Sequence, residues 1–172
     1  VDVPARGIHL GFGLLLCFLI FPASRRQAGA RIPLSDLALA LVATGCALYM
    51  WLAWNGLSER AGILLTYDLS LFGFEFTFPI EAIIGGTGIV LLLEATRRSI
   101  GLPLVVVASI FLLYSIFGQS MPDLISHKGV SLTRLTGYQW LGGEAIFGIP
   151  IDVSVSFVFL FVLFGAMLDK AG

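Results

Sequence analysis

Glu94 stands three and four residues ahead of Arg97 and Arg98, the helical spacing at which side chains are neighbours and pair. Two chemistries fit that triplet: anchoring of a helix end, or handling of a proton or substrate. Its place near the end of an apolar run favours anchoring. Glu144 is set in GGEAIFGIP, where paired glycines, a carboxylate and a proline precede another apolar run. Broken backbone of that kind can line a cavity in transporters, so Glu144 is the candidate for substrate binding, with a turn cap as the plainer reading. Glu81 and Asp152 each fall in the first turn of an apolar run, where the helix dipole favours a carboxylate. His9 reads as an interfacial histidine. Cys17 and Cys46 lie inside apolar runs without metal-ligand spacing and read as small buried or lipid-facing residues. No nucleophile triad and no metal-spaced cluster is visible, and His9 and His127 are far apart; the residues do not support an enzyme.

The elements that must carry these residues are apolar. Of 172 residues, 58% are hydrophobic and 12% charged, with mean hydropathy +0.97, whereas a soluble domain is roughly a quarter charged. The solvent is lipid. A net charge of -1 gives no case for a nucleic-acid partner. A hydrocarbon core of ~30 Å needs about 17–25 residues of helix. Five runs are predicted as spans, at about 7–21, 34–54, 78–95, 100–117 and 151–168. The fold class expected is therefore an all-α integral membrane protein of about five transmembrane helices, with an interfacial helical segment besides. That segment falls within 118–149, where Leu132, Leu135 and Tyr138 recur at three-residue spacing beside Trp140. The aromatic stretch LSLFGFEFTF, 69–78, is expected to lie in the interface as an extended or turn segment, since open strand edges are not viable in lipid. Gly85, Gly86 and Gly88 give small faces for close helix packing, not a phosphate loop.

Arg25, Arg26 and Arg31 stand between the first two runs, and Arg97 and Arg98 between the third and fourth, so five of the ten basic residues occupy two short loops. The positive-inside rule places both loops in the cytoplasm. The 55–77 link, with Glu59, Asp68 and Glu75 against Arg60 alone, fits the opposite side. Arg25, Arg26, Arg31, Arg97, Arg98 and Glu94 are thus the topology-anchoring set. Five spans put Val1 outside and Gly172 inside. With no cleavable signal pattern at 7–23, the expectation is a piece of a longer chain that has lost an upstream helix.

EATRRSIGLPLVVVASIFLLYSIFG (94–118) together with EAIFGIPIDVSVSFVFLFVLFGAMLDKAG (144–172) resembles the permease of tripartite ATP-independent periplasmic (TRAP) transporters. More narrowly, it resembles the type in which small and large membrane subunits are fused and serve a TAXI-class binding protein. IHLGFGLLLCFLIFP (8–22) is similar to the early part of that permease. The resemblance implies a multi-pass protein of the bacterial inner membrane that imports an organic acid, dicarboxylate- or glutamate-like, from a periplasmic solute-binding protein. Coupling would be to a sodium or proton gradient, with no other cofactor. It further implies a small-subunit-like scaffold over 1–118, then a linker and the opening of the large subunit over 119–172. The remaining transport domain, with its ion sites, would lie beyond Gly172. No ion or substrate ligand is carried onto this chain by the matched motifs. Two other readings stand beside it: a structural or assembly subunit that binds a membrane partner through its glycine faces and transports nothing, and a membrane-embedded enzyme, for which the two short basic loops leave no room.

Overall fold

The computed structural model describes residues 2–23, 33–60, 63–71 and 74–172, with backbone alone for 67–71 and 74–78. Arg25, Arg26 and Arg31 lie outside the described residues. Helix α1 is Val3–Ile20 and α2 is Leu34–Glu59. A two-stranded antiparallel hairpin follows, β1 (Tyr67–Leu71) against β2 (Phe74–Phe78), with Tyr67 opposite Phe78 and Leu71 opposite Phe74. Then come α3 (Ile80–Ser99), α4 (Leu102–Phe117) and the short α5 (Leu132–Trp140). The last run is one continuous helix, α6 (Ile149–Val153), a π-helical turn (Ser154–Val158) and α7 (Phe159–Ala171).

Prolines set where these helices begin. Pro4, Pro103 and Pro150 occupy first-turn positions, where the missing N–H has no helical acceptor to lose and the fixed φ is already helical. The α3–α4 link is tighter than the sequence indicates. Helix α3 runs on through Arg97 and Arg98 to Ser99, and the chain reverses at Ile100 and Gly101. Gly101 has φ +119°, a conformation that L side chains rarely adopt.

Among the described residues, four helices are long and apolar enough to cross a membrane: Val3–Ile20, Leu34–Glu59, Leu102–Ser120 and Ile149–Ala171. The chain is a multi-pass helical membrane protein. α3 has spanning length at 20 residues, but Glu81, Glu94, Arg97 and Arg98 keep it out of that set. The hairpin is the departure from all-helical structure, and its extended backbone falls where the aromatic stretch was expected to be extended. Aromatic and Thr residues suit a pleated surface.

Packing centres on α1, α2 and α3. Gly7 and Gly11 of α1 lie on Thr44, Ala47 and Met50 of α2, and a Cβ at Gly7 would stand 3.0 Å from the Ala47 carbonyl oxygen. Small residues four apart let two helix backbones approach this closely, which is how helices gain contact when lipid offers no hydrophobic drive. Thr44 Oγ1 donates to Ala40 O at 2.7 Å, and its 3.3 Å contact to Gly11 O crosses the same seam.

The segment expected to be an interfacial helix is helical. α5 exists at the expected place, but Leu135, Thr136 and Trp140 are buried in protein, while Leu132 and Tyr138 are exposed. Its buried side lies on Gly85, Gly86 and Gly88 of α3. The Trp140 indole covers Gly88 and donates Nε1–H to the Cys46 carbonyl, in the middle of α2, at 3.0 Å. The Trp140 indole is therefore a wedge between α3 and α2. Thr136 and Trp140 fill the glycine groove, which buries the whole indole while its N–H is satisfied by α2, and Leu132 and Tyr138 stay on the outer side.

Candidate functional site

Two polar assemblies bracket α3, about 20 Å apart along its axis by the ~1.5 Å rise over the thirteen residues from Glu81 to Glu94. At the first, Glu81 is fully buried. Tyr49 Oη–H donates to its Oε1 at 2.8 Å. Arg60 forks across both oxygens, Nη2 to Oε1 at 2.9 Å and Nη1 to Oε2 at 3.1 Å, and the Leu65 N–H reaches Oε2 at 2.7 Å. Four donors around one carboxylate is a saturated arrangement, and bidentate Arg–carboxylate geometry is the strong form of the pair. A buried carboxylate that is fully bonded is a structural tie between α2 with its cap Arg60, Leu65 and α3.

The second assembly holds the anchoring residues. Arg97 Nε and Nη2 donate to Glu94 at 2.7 Å each, and Arg98 Nε donates to Glu94 Oε1 at 2.8 Å. The pairing read from the spacing is present. What the spacing did not show is that Arg98 also reaches Asp36 Oδ1 of α2 at 3.0 Å and the Phe21 carbonyl at 3.2 Å, with its guanidinium over the Phe18 ring. Asp36 is 1% exposed, and its Oδ2 accepts from the Ala23 N–H at 3.3 Å. Arg98, with its side chain 4% exposed, joins the end of α1, the start of α2 and the end of α3, whereas Arg97 at 42% stays on the surface. The two arginines, alike in sequence, do different work.

A third contact ties the last helix to α1. Arg6 pairs with Asp152 at 3.2 Å and donates to Phe147 O at 2.8 Å. His9 Nε2 lies 3.2 Å from Ser154 Oγ at the start of the π-helical turn, with its ring edge-on to Phe159. Beyond that attachment the helix Ile149–Ala171 has no buried residue, and neither has α4.

Glu144 is exposed on the 141–148 turn. It lines a crevice of about 860 Å³ with Trp54, Leu64, Ser131, Arg134 and Tyr138. The crevice offers one acid, one base, hydroxyls and aromatic walls to whatever enters. The turn itself is fixed by its other residues. Phe147 is fully buried with its ring edge-on to Trp140 at 5.5 Å, and any Cβ at Gly148 would overlap the Glu144 backbone carbonyl. A narrower apolar groove of about 290 Å³ runs between Ile89, Leu92, Ala108, Phe111, Gln139 and Ile146.

Cys17 and Cys46 are free thiols inside the helical core, Cys17 Sγ lying 3.4 Å from Ala95 O. Among the described residues no three His, Cys, Asp or Glu side chains converge as a metal site would require. Every buried side-chain nitrogen or oxygen among them has a partner. The polar chemistry at helix depth is spent on internal bonds. Arg60 and Tyr49 are the residues that the linear reading left without a role. Arg60 alone carried a signal, as the single base in an acidic link.

No family model matches this chain, and neither a curated protein nor a solved structure matches it.

Proposed function

We propose that this chain is the static, lipid-embedded scaffold part of a secondary transporter of the TRAP permease type, set in a bacterial inner membrane and serving an organic-acid solute. The observation that carries the scaffold reading is the tying of α2 to α3 at both ends of α3, by Glu81–Arg60–Tyr49 and by Asp36–Arg98–Glu94, with Arg98 also holding the end of α1 through the Phe21 carbonyl. Ion pairs at both ends and glycine seams between them suit helices that stay put. In this reading α3 is a fifth span, its charges paired at its two ends, and the arginine loops face the cytoplasm. The transport identity rests on the sequence resemblance, and the solute-binding protein, the coupling sodium or proton and the remaining transport domain are implied by it.

The exposed sides of α4 and Ile149–Ala171 favour a second reading, in which the chain is an assembly subunit that covers those faces with another membrane protein and moves no solute. One experiment separates the two. The chain purified in nanodiscs should bind no organic acid, and in proteoliposomes should move none under an imposed sodium or proton gradient, whereas the full permease with its binding protein should do so. Saturable, gradient-dependent uptake by the chain alone would overturn the scaffold reading. Absence of uptake by the full protein would favour the assembly subunit.

A further inference from the structure

The segment that leads from α4 to α5 is folded back on the end of α4 and fastened there by one histidine. The Val130 N–H donates to Ser115 O at 2.9 Å and the His127 N–H to Gly118 O at 3.0 Å. Tyr114 Oη–H donates to Ile125 O at 2.6 Å, and Gln119 Nε2 to Lys128 O at 2.6 Å. The last carbonyls of a helix lack intrahelical donors, so the segment acts as the cap of α4. Its ring of contacts closes on His127. The imidazole lies directly over Gly118, where any Cβ would overlap it, and stands edge-on to Tyr114 with centroids 4.7 Å apart.

Both ring nitrogens face backbone groups of fixed polarity. Nδ1 stands 3.1 Å from the Gly129 N–H, which can only donate, and Nε2 stands 3.0 Å from the Tyr114 carbonyl, which can only accept. A single protonation state satisfies both, the neutral imidazole with its proton on Nε2. Gly129 has φ +67°, the left-handed turn that aims its N–H back at the ring.

We propose that His127 is a proton-sensitive latch, closed while the ring is neutral and opened by its protonation. A proton on Nδ1 sets N–H against N–H and leaves the Gly129 amide without an acceptor. The dipole at a helix C-terminus favours a cation, but Nε2–H meets the Tyr114 carbonyl in both states, so protonation gains no hydrogen bond there and loses the one at Nδ1. From α4 and the 3₁₀ turn Gly118–Ser120 the titratable group facing the ring is Tyr114. The charged side chains of the segment itself are Asp123 and Lys128, and Arg134 follows in α5. The closed latch holds fewer protons than the open one, so closure is favoured as pH rises. The consequence passes to α5: Ser131, whose side chain caps that helix by accepting from the Arg134 N–H, follows directly on the latched segment. Opening the latch frees the lead into the wedge that Trp140 drives between α3 and α2.

The test uses the whole chain in nanodiscs. Backbone amide exchange at Gly129 and Val130, corrected for intrinsic rates, is measured at pH 8.0 and pH 5.5, and the ring ¹⁵N shifts of His127 are read at pH 8.0 with His9 replaced to leave one histidine. The latch requires the Nε2–H tautomer at pH 8.0 and a several-fold loss of protection at pH 5.5, about tenfold at most. In His127→Gln, whose amide can accept from Gly129 and donate to Tyr114 without titrating, protection should no longer depend on pH. An Nδ1–H tautomer, equal protection at both pH values in the unsubstituted chain, or an undiminished pH dependence in the Gln variant would each refute the proposal. The wild-type comparison stands even if the variant fails to fold.

Discussion

A methyl group at Gly88 is the sharpest perturbation of this bundle. A Cβ built there overlaps Cε2, Cζ2 and Cδ2 of the Trp140 indole. The ring has nowhere to retreat, being fully buried, bonded through Nε1 to Cys46 O and packed edge-on against Phe147. Relief must come by displacing the indole or by parting α5 from α3. Overpacking costs about 1–3 kcal/mol, and breaking the indole hydrogen bond adds about 1 kcal/mol. Alanine returns up to about 1 kcal/mol by its helix preference. The net destabilisation expected for Gly88→Ala is therefore about 1–3 kcal/mol, or about 5- to 150-fold in the unfolding equilibrium constant. Two glycines serve as controls. Gly45 has nothing within 4 Å of its added Cβ, and Gly86 meets Thr136 Cγ2 at 3.6 Å, an ordinary contact. Gly45→Ala should be neutral or slightly stabilising, and Gly86→Ala close to neutral. The assay is reversible unfolding in mixed micelles followed by tryptophan emission, with Trp51 and Trp54 replaced by Phe so that Trp140 reports alone. If Gly88→Ala unfolds together with Gly45→Ala and leaves the emission maximum unchanged, the wedge is not packed as described.

Three further outcomes are expected. Arg98→Ala removes the buried partner of Asp36 and should cost about 3–5 kcal/mol, whereas Arg97→Ala, at a surface position, should change the same unfolding curve little; equal effects would contradict the division of work between them. Glu81→Ala should lower the melting temperature of the nanodisc-embedded chain far more than Glu81→Gln, because Gln keeps one acceptor oxygen among the four donors, and matching melts would show that the donors find water instead. In a background lacking Cys17 and Cys46, an impermeant thiol reagent applied to intact cells should label Cys placed at Asp68 and miss Cys placed at Arg26 or at the exposed Arg97; labelling at either arginine position would reverse the orientation.

The spans were legible because length and apolar composition are local properties. The predicted run at 34–54 became Leu34–Glu59 and that at 151–168 became Ile149–Ala171. The Glu94 pairs were legible for the same reason, since a three- or four-residue spacing is a contact by helix geometry alone. The cross-helix partners were not. Asp36 meets Arg98 from 62 positions away and Glu81 meets Arg60 from 21, and nothing in a first-turn carboxylate distinguishes one that serves the helix dipole from one that waits for a guanidinium. The wedge was half legible: the spacing of Leu132, Leu135 and Tyr138 gave the helix, and Gly85, Gly86 and Gly88 gave a small-residue face. No local signal shows that the one fills the other. For Glu144 the turn chemistry was readable, and its surroundings of Trp54, Arg134 and Tyr138 come from segments that only the fold assembles.

The central claim is that α1, α2 and α3 form a body that does not move while solute is carried. Its most direct test is a distance between α1 and α3 during transport. Spin labels at Phe12 and Val90, both exposed on the outside of the bundle, can be placed in the transporter proposed above. Pulsed electron–electron resonance is then recorded in the resting state, with solute-loaded binding protein, and under the coupling ion gradient. A static scaffold gives one narrow distance distribution, unchanged in all three states. A shift of several ångströms, or a second population that appears with solute, would mean that the tied helices themselves move, and would contradict the scaffold.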